Sequence, residues 1–113
     1  MKMKTVEQYN AVIIEIKGNI MGGPEAGELN ELLHKLIDED KKNVIIDLSD
    51  VKFMNSSGLG MLISAYTTMK NGGGNLKLAN ATEKINSLLL ITKLVTIFEN
   101  FDSVDEAVKS FSK

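Results

Sequence analysis

The chain has no cysteine, which excludes disulfides and thiol chemistry and fits a reducing compartment. It has one histidine. That residue, His34, falls among charged positions of a helical pattern with no cysteine or second histidine beside it, so no metal site is read and no cofactor is expected. Charge of one sign is also lacking: 13 basic against 15 acidic residues leave a formal net charge of −2. There is therefore no electrostatic case for DNA, RNA or an anionic membrane as partner. Long apolar runs are missing as well. The opening Met1 to Glu7 has no apolar core for a signal peptide, and no later run approaches the ~20 residues of a membrane span. No repeat, low-complexity tract or linker interrupts the 113 residues, so a single domain over 1–113 in the cytoplasm is expected.

What is present is a clear alternation of element types. Met3 to Gln8 and Ala11 to Lys17 read as a hairpin around Tyr9-Asn10, with Val12, Ile14 and Ile16 alternating against Ile13, Glu15 and Lys17. Gly18-Asn19 ends it, and Pro24 suits the first turn of a helix with Ala26, Leu29, Leu32, Leu33, Leu36 and Ile37 on one side. Val44-Ile45-Ile46-Asp47-Leu48 is apolar almost without alternation, as a central strand covered on both faces would be. A second helix follows with Leu59, Leu62, Ile63, Tyr66 and Met69 at helical spacing; the Gly72-Gly73-Gly74 turn, Leu76 to Ala79 as a strand and a Thr82-capped helix come next. Thr96-Ile97-Phe98 reads as the last strand. Ser103 and Glu106 have capping-box spacing before a helix whose inner face is Ala107, Val108 and Phe111. The order ββαβαβαβα argues for an α/β fold, a mixed sheet with an N-terminal antiparallel hairpin and later parallel strands, packed with about four helices.

The chain turns on the connection between the central strand and the second helix. Asn55, Ser56 and Ser57 all favour an N-cap, where a side-chain oxygen accepts an unpaired backbone N–H. Gly58 and Gly60 leave that turn bare. A phosphate on a serine there would meet free amides and the positive end of the helix dipole. On these residues alone a plain cap and a phosphoacceptor site both stand, the cap being the commoner use. Of the four methionines weighed as core filler, Met21, Met54, Met61 and Met69, the third falls off the apolar stripe. It is expected to be exposed beside Ser56 as an adaptable contact. Gly58, Leu59, Gly60 and Met61, with Asn55, are thus expected to form a docking surface, and Gly22 and Gly23 a neighbouring loop.

Other readings fail on their missing partners. An aspartate near the end of a hydrophobic strand, Asp47, invites comparison with receiver phosphoacceptors, but Gly18-Asn19-Ile20 holds no acidic pair for Mg²⁺. The alternative is a strand-end carboxylate bonded to nearby backbone. Gly72 to Gly74 lacks the Gly-Lys-Ser/Thr of a phosphate loop, and Ser56 lacks a G-x-S-x-G elbow and a base. No catalysis is expected.

Phe53-Met54-Asn55-Ser56-Ser57-Gly58-Leu59-Gly60-Met61-Leu62 resembles the phosphorylation motif of the anti-sigma factor antagonists, the small free-standing bacterial members of the STAS domain family. The resemblance extends over nearly the whole chain and implies the STAS fold, a role in sigma-factor partner switching and no enzymatic activity. It implies Ser56 as phosphoacceptor, with Ser57 as the fallback. It also implies the partners: an anti-sigma factor that is a serine kinase, bound by the unphosphorylated protein so that a sigma factor is released, and a protein serine phosphatase that resets the switch. Asn55 stands where the family usually has Asp. Two other functions are compatible with the fold, an unphosphorylated docking subunit of a transporter or signalling complex and a small-ligand or nucleotide sensor.

Overall fold

The computed structural model describes residues 1–112. Strands β1 (Lys2–Gln8) and β2 (Ala11–Lys17) form the expected hairpin, closed at Tyr9 with a left-handed φ of 55°. Then come α1 (Pro24–Asp38), β3 (Asn43–Asp50), α2 (Ser56–Asn71), β4 (Asn75–Ala79), α3 (Glu83–Ile91), a 3₁₀ turn at Leu94–Thr96, β5 (Asn100–Phe101) and α4 (Val104–Ser110). The sheet runs in the order β1-β2-β3-β4-β5, antiparallel between the first two strands and parallel thereafter.

The near absence of alternation in β3 has the expected cause. Val44, Ile46 and Leu48 face a large core shared with Leu29 and Leu33 of α1, Met61 and Leu62 of α2, and Ile85 and Leu89 of α3. Ile45 faces the other side, where Ala107 and Val108 of α4 pack with Ala11, Ile13 and Ala79. Three helices thus cover one face and a single short helix the other. Each fully buried Ile or Leu contributes about 1.5–3 kcal/mol to that arrangement.

Two expectations need correction. The last strand lies at Asn100–Phe101 and not at Thr96 to Phe98. Lys93 adopts a left-handed φ of 62°, after which the amides of Thr96, Ile97 and Phe98 all turn back onto Lys93 and Leu94. Those amides are spent locally, so β4 pairs with the residues beyond: Leu78 N–H donates to Glu99 O and Asn80 N–H to Phe101 O. Phe98 instead packs edge-on against Tyr66, with ring centroids 5.4 Å apart.

The second concerns the face of α2. Its buried residues are Gly58, Met61, Leu62, Ala65 and Met69, while Leu59, Ile63 and Tyr66 are only partly buried at its flank. Met61 is 4% exposed, not a surface contact. The rotation follows from size: Gly58 and Ala65 let α2 approach its neighbours closely, and Met61 lies beside Ala26, Leu29 and Ala65 between α1 and α2.

Candidate functional site

At the carboxyl ends of the parallel strands, two extended segments continue past the sheet side by side. Ile20 forms a parallel bridge with Met54, and its N–H donates to Phe53 O at 3.1 Å. In each segment one residue points in and its neighbour out. Ile20 and Met54 are buried, whereas Met21 is 44% and Phe53 39% exposed. The connector is tied down further by Val51 N–H to Leu48 O and by the Thr82 hydroxyl to Val51 O. A rigid ledge therefore leads into α2.

Ahead of that ledge the register between the two segments shifts by one residue within β3 and by one more between Asp50 and Met54. Glu15 pairs with Asp47 but Lys17 with Asp50, so β3 carries one extra residue. At the irregularity the Ser49 N–H is taken by Asp47 Oδ1 at 3.0 Å, and Asn80 Nδ2 donates to the same oxygen at 3.3 Å. Asp47 is thus the strand-end carboxylate bonded to nearby backbone, and its acceptor capacity serves the bulge.

The helix starts as its residues require. Asn55 is the N-cap, with Oδ1 accepting from Gly58 N–H at 2.8 Å. Ser56 and Ser57 are exposed in the first turn, where backbone amides have no intrahelical acceptor. No acidic residue occupies that turn. Gly58 is buried, and a Cβ on it would stand 2.0 Å from Ile20 O. Gly22 has a φ of +82° and lies over Ser57, a Cβ there falling 2.8 Å from Ser57 Cβ. The structure therefore brings Gly22, Asn55, Ser56, Ser57 and Gly58 together. Gly60 is exposed with nothing around it, Gly23 is exposed at the start of α1, and Leu59 is half-buried.

Met21 and Phe53 flank the serines, and sequence reasoning missed both as surface residues. The in–out alternation of Ile20-Met21 and Phe53-Met54 was the available signal. Beside Phe53, the Lys84 ammonium lies 5.3 Å from the ring centroid, and Lys52 is exposed.

The remaining candidates lie elsewhere. His34 is exposed on α1, and Gly72 to Gly74 form the turn into β4. Among the described residues no group of three or more His, Cys, Asp or Glu is placed to hold a metal ion, and no helix is long and apolar enough to cross a membrane. An open cleft of about 340 Å³ lies at the opposite pole, lined by Glu7, Tyr9, Asn10 and Lys41 among others. There hydrogen bonds to Glu7 and then Glu39 hold the Lys41 ammonium above the usual lysine range.

Three comparisons bear on this geometry. The STAS domain model matches residues 2–107. The anti-sigma-B factor antagonist of Bacillus subtilis (strain 168) is 34% identical over 87 residues, which is 75% of this chain and 80% of that protein. Among solved structures, a Thermotoga maritima protein provisionally given the antagonist role superposes with a TM-score of 0.86 at 20% identity, covering 98% of this chain and 95% of that one. The Bacillus anti-sigma factor antagonist SpoIIAA has been solved unphosphorylated and phosphorylated. Both forms superpose with a TM-score of 0.71, at 14% and 15% identity, covering 98% and 97% of this chain and 97% and 99% of theirs. The structural overlaps bear on the fold.

Proposed function

This chain belongs to the STAS domain family, and from that premise we propose that it is an anti-sigma factor antagonist switched by phosphorylation. It acts as one STAS domain over 1–113, in the cytoplasm, without catalysis of its own. In its unphosphorylated form it binds an anti-sigma factor that is also a serine kinase, and a sigma factor is released. A serine phosphatase resets it.

The observation that carries the reading is the exposure of Ser56 on the first turn of an Asn55-capped helix, three residues after the exposed Phe53 and next to Ser57, over which Gly22 lies after the exposed Met21. A phosphate there adds roughly −1.5 to −2 charges. On a surface whose exposed apolar residues must be desolvated to dock, that charge opposes binding without refolding the domain. The free amides of the first turn accommodate the phosphate. Ser57, also exposed, is the fallback acceptor, its Cβ hemmed in by Gly22. The docking surface consists of Asn55, Ser56, Gly60, the rim of Leu59 and the exposed Met21 and Phe53, with Gly23 beside it. Gly22, expected as a contact, is buried against Ser57 and supports the surface instead. Gly58 supports that surface from beneath.

Asn55 favours a second reading, a docking subunit of a larger complex that is never phosphorylated, because the resemblance leads one to expect a carboxylate at that position. Site-resolved mass spectrometry of the protein from its native cells, growing and stressed, separates the two. A condition-dependent phosphate on Ser56 is expected, together with loss of kinase binding in Ser56→Asp and retention in Ser56→Ala. No phosphate under any condition, with equal binding by both variants, would establish the docking subunit.

A further inference from the structure

The pole that carries Ser56 holds cations without carboxylate partners. Among the described residues the lysine ion pairs are made by Lys41, Lys42 and Lys77, all away from this pole. Lys52 and Lys84 form none. The first turn of α2 contributes no acid either. Lys84 stands on the first turn of α3, which is held against the connector by the Thr82 hydroxyl bond to Val51 O. What the Lys84 ammonium has instead of a carboxylate is the half-exposed ring of Phe53, 5.3 Å from its centroid.

A cation over an exposed ring is weakly held, whereas an ammonium beside a phosphate dianion gains both charge and a directed hydrogen bond. Ser56 is three residues beyond Phe53, a stretch that spans at most ~11 Å even when fully extended. The flexible four-carbon stem of lysine lets its ammonium swing from one position to the other.

We propose that Lys84 is the internal counter-ion of a phosphate on Ser56, its ammonium leaving the Phe53 ring for the phosphate oxygens. The inference rests on the reading of Ser56 as phosphoacceptor. The kinase transfers the γ-phosphoryl group of a nucleoside triphosphate to Ser56 Oγ, releasing the nucleoside diphosphate and the hydroxyl proton. The new dianion then draws Lys84 across. Phosphorylation thereby alters the docking surface at two places: it adds charge at Ser56 and removes the cationic cover from Phe53. A partner fitted to a cation-capped aromatic loses both features at once.

The test uses the full chain with phosphoserine installed at position 56 during translation, so it does not depend on a kinase. Phosphorus NMR follows the second ionisation of the phosphate. If Lys84 is the counter-ion, Lys84→Gln raises the midpoint by about half a pH unit or more, a threefold or larger change in the dissociation constant, and Lys84→Arg restores it. In the unphosphorylated chain the Lys84 ε-methylene protons carry a ring-current shift from Phe53, which is lost in the phosphorylated chain. Identical midpoints in wild type and Lys84→Gln overturn the proposal, as does a midpoint that moves only in Lys52→Gln. Native phosphosite mapping decides the Ser56 reading separately, so failure of one is distinguishable from failure of the other.

Discussion

Two glycines of α2, two residues apart, should respond to the same substitution with opposite signs. Gly60 is exposed inside the helix, and a Cβ there meets nothing within 4 Å. Gly60→Ala removes the conformational freedom of glycine at no steric cost and should stabilise by about 0.5–1 kcal/mol. Gly58→Ala gains the same term but drives a Cβ to 2.0 Å from the Ile20 carbonyl oxygen, which is backbone and bridged to Met54. Relief requires α2 or the Ile20 segment to move by roughly 1 Å, and forced repacking of that kind costs about 3 kcal/mol at the upper end of its usual range. The net loss is about 2 kcal/mol. For 113 residues the entropy of unfolding makes 1 kcal/mol worth about 4 °C in Tm. Gly58→Ala should therefore melt about 8 °C below wild type and Gly60→Ala about 2–4 °C above it. Urea unfolding with unchanged m values would confirm that stability itself has changed. If Gly58→Ala is as stable as wild type while Gly60→Ala is stabilised, α2 is not pressed against Ile20 and the ledge supporting Ser56 is misplaced.

Asn55→Ala should cost about 1 kcal/mol through loss of the 2.8 Å cap bond to Gly58 N–H. Asn55→Asp should keep that bond and gain about 0.3–1 kcal/mol at low ionic strength from its charge at the helix N-terminus, a gain that salt removes; thermal melts at two salt concentrations check both, and loss of folding in Asn55→Asp would mean that the helix starts elsewhere. Lys77 is 5% exposed, donates to Ser110 Oγ at 2.7 Å and places its ammonium 4.2 Å from the Phe111 ring centroid. Lys77→Ala should cost about 2–3 kcal/mol and speed hydrogen exchange in α4, whereas Lys77→Met, which keeps the buried stem, should stay within about 1 kcal/mol of wild type. Equal effects of the two would show that packing of the stem does not hold α4.

Features carried by local chemistry were legible in the sequence. Asn55 and Thr82 are both N-caps, Ser103 caps α4, and the unalternating β3 is covered on both faces. Features carried by size or by a distant partner were not. Gly58 and Ala65 count for little in an apolar pattern, yet being small they set which face of α2 is buried, and Met61 is buried with them. Lys77 reads as a surface residue of a strand until α4 supplies Ser110 and Phe111 around it. The site's composition has a subtler origin. A one-residue change of register exchanges the two faces of an extended segment. The extra residue in β3 makes one such change and the connector after Asp50 makes a second. The two cancel: Ile20 meets Met54 with both inward, as Ile14 and Ile46 are, and Phe53 is left outward. The amide released by that extra residue is taken up by Asp47. The carboxylate that looked like a phosphoacceptor therefore serves the backbone of its own strand, at the first of the two shifts.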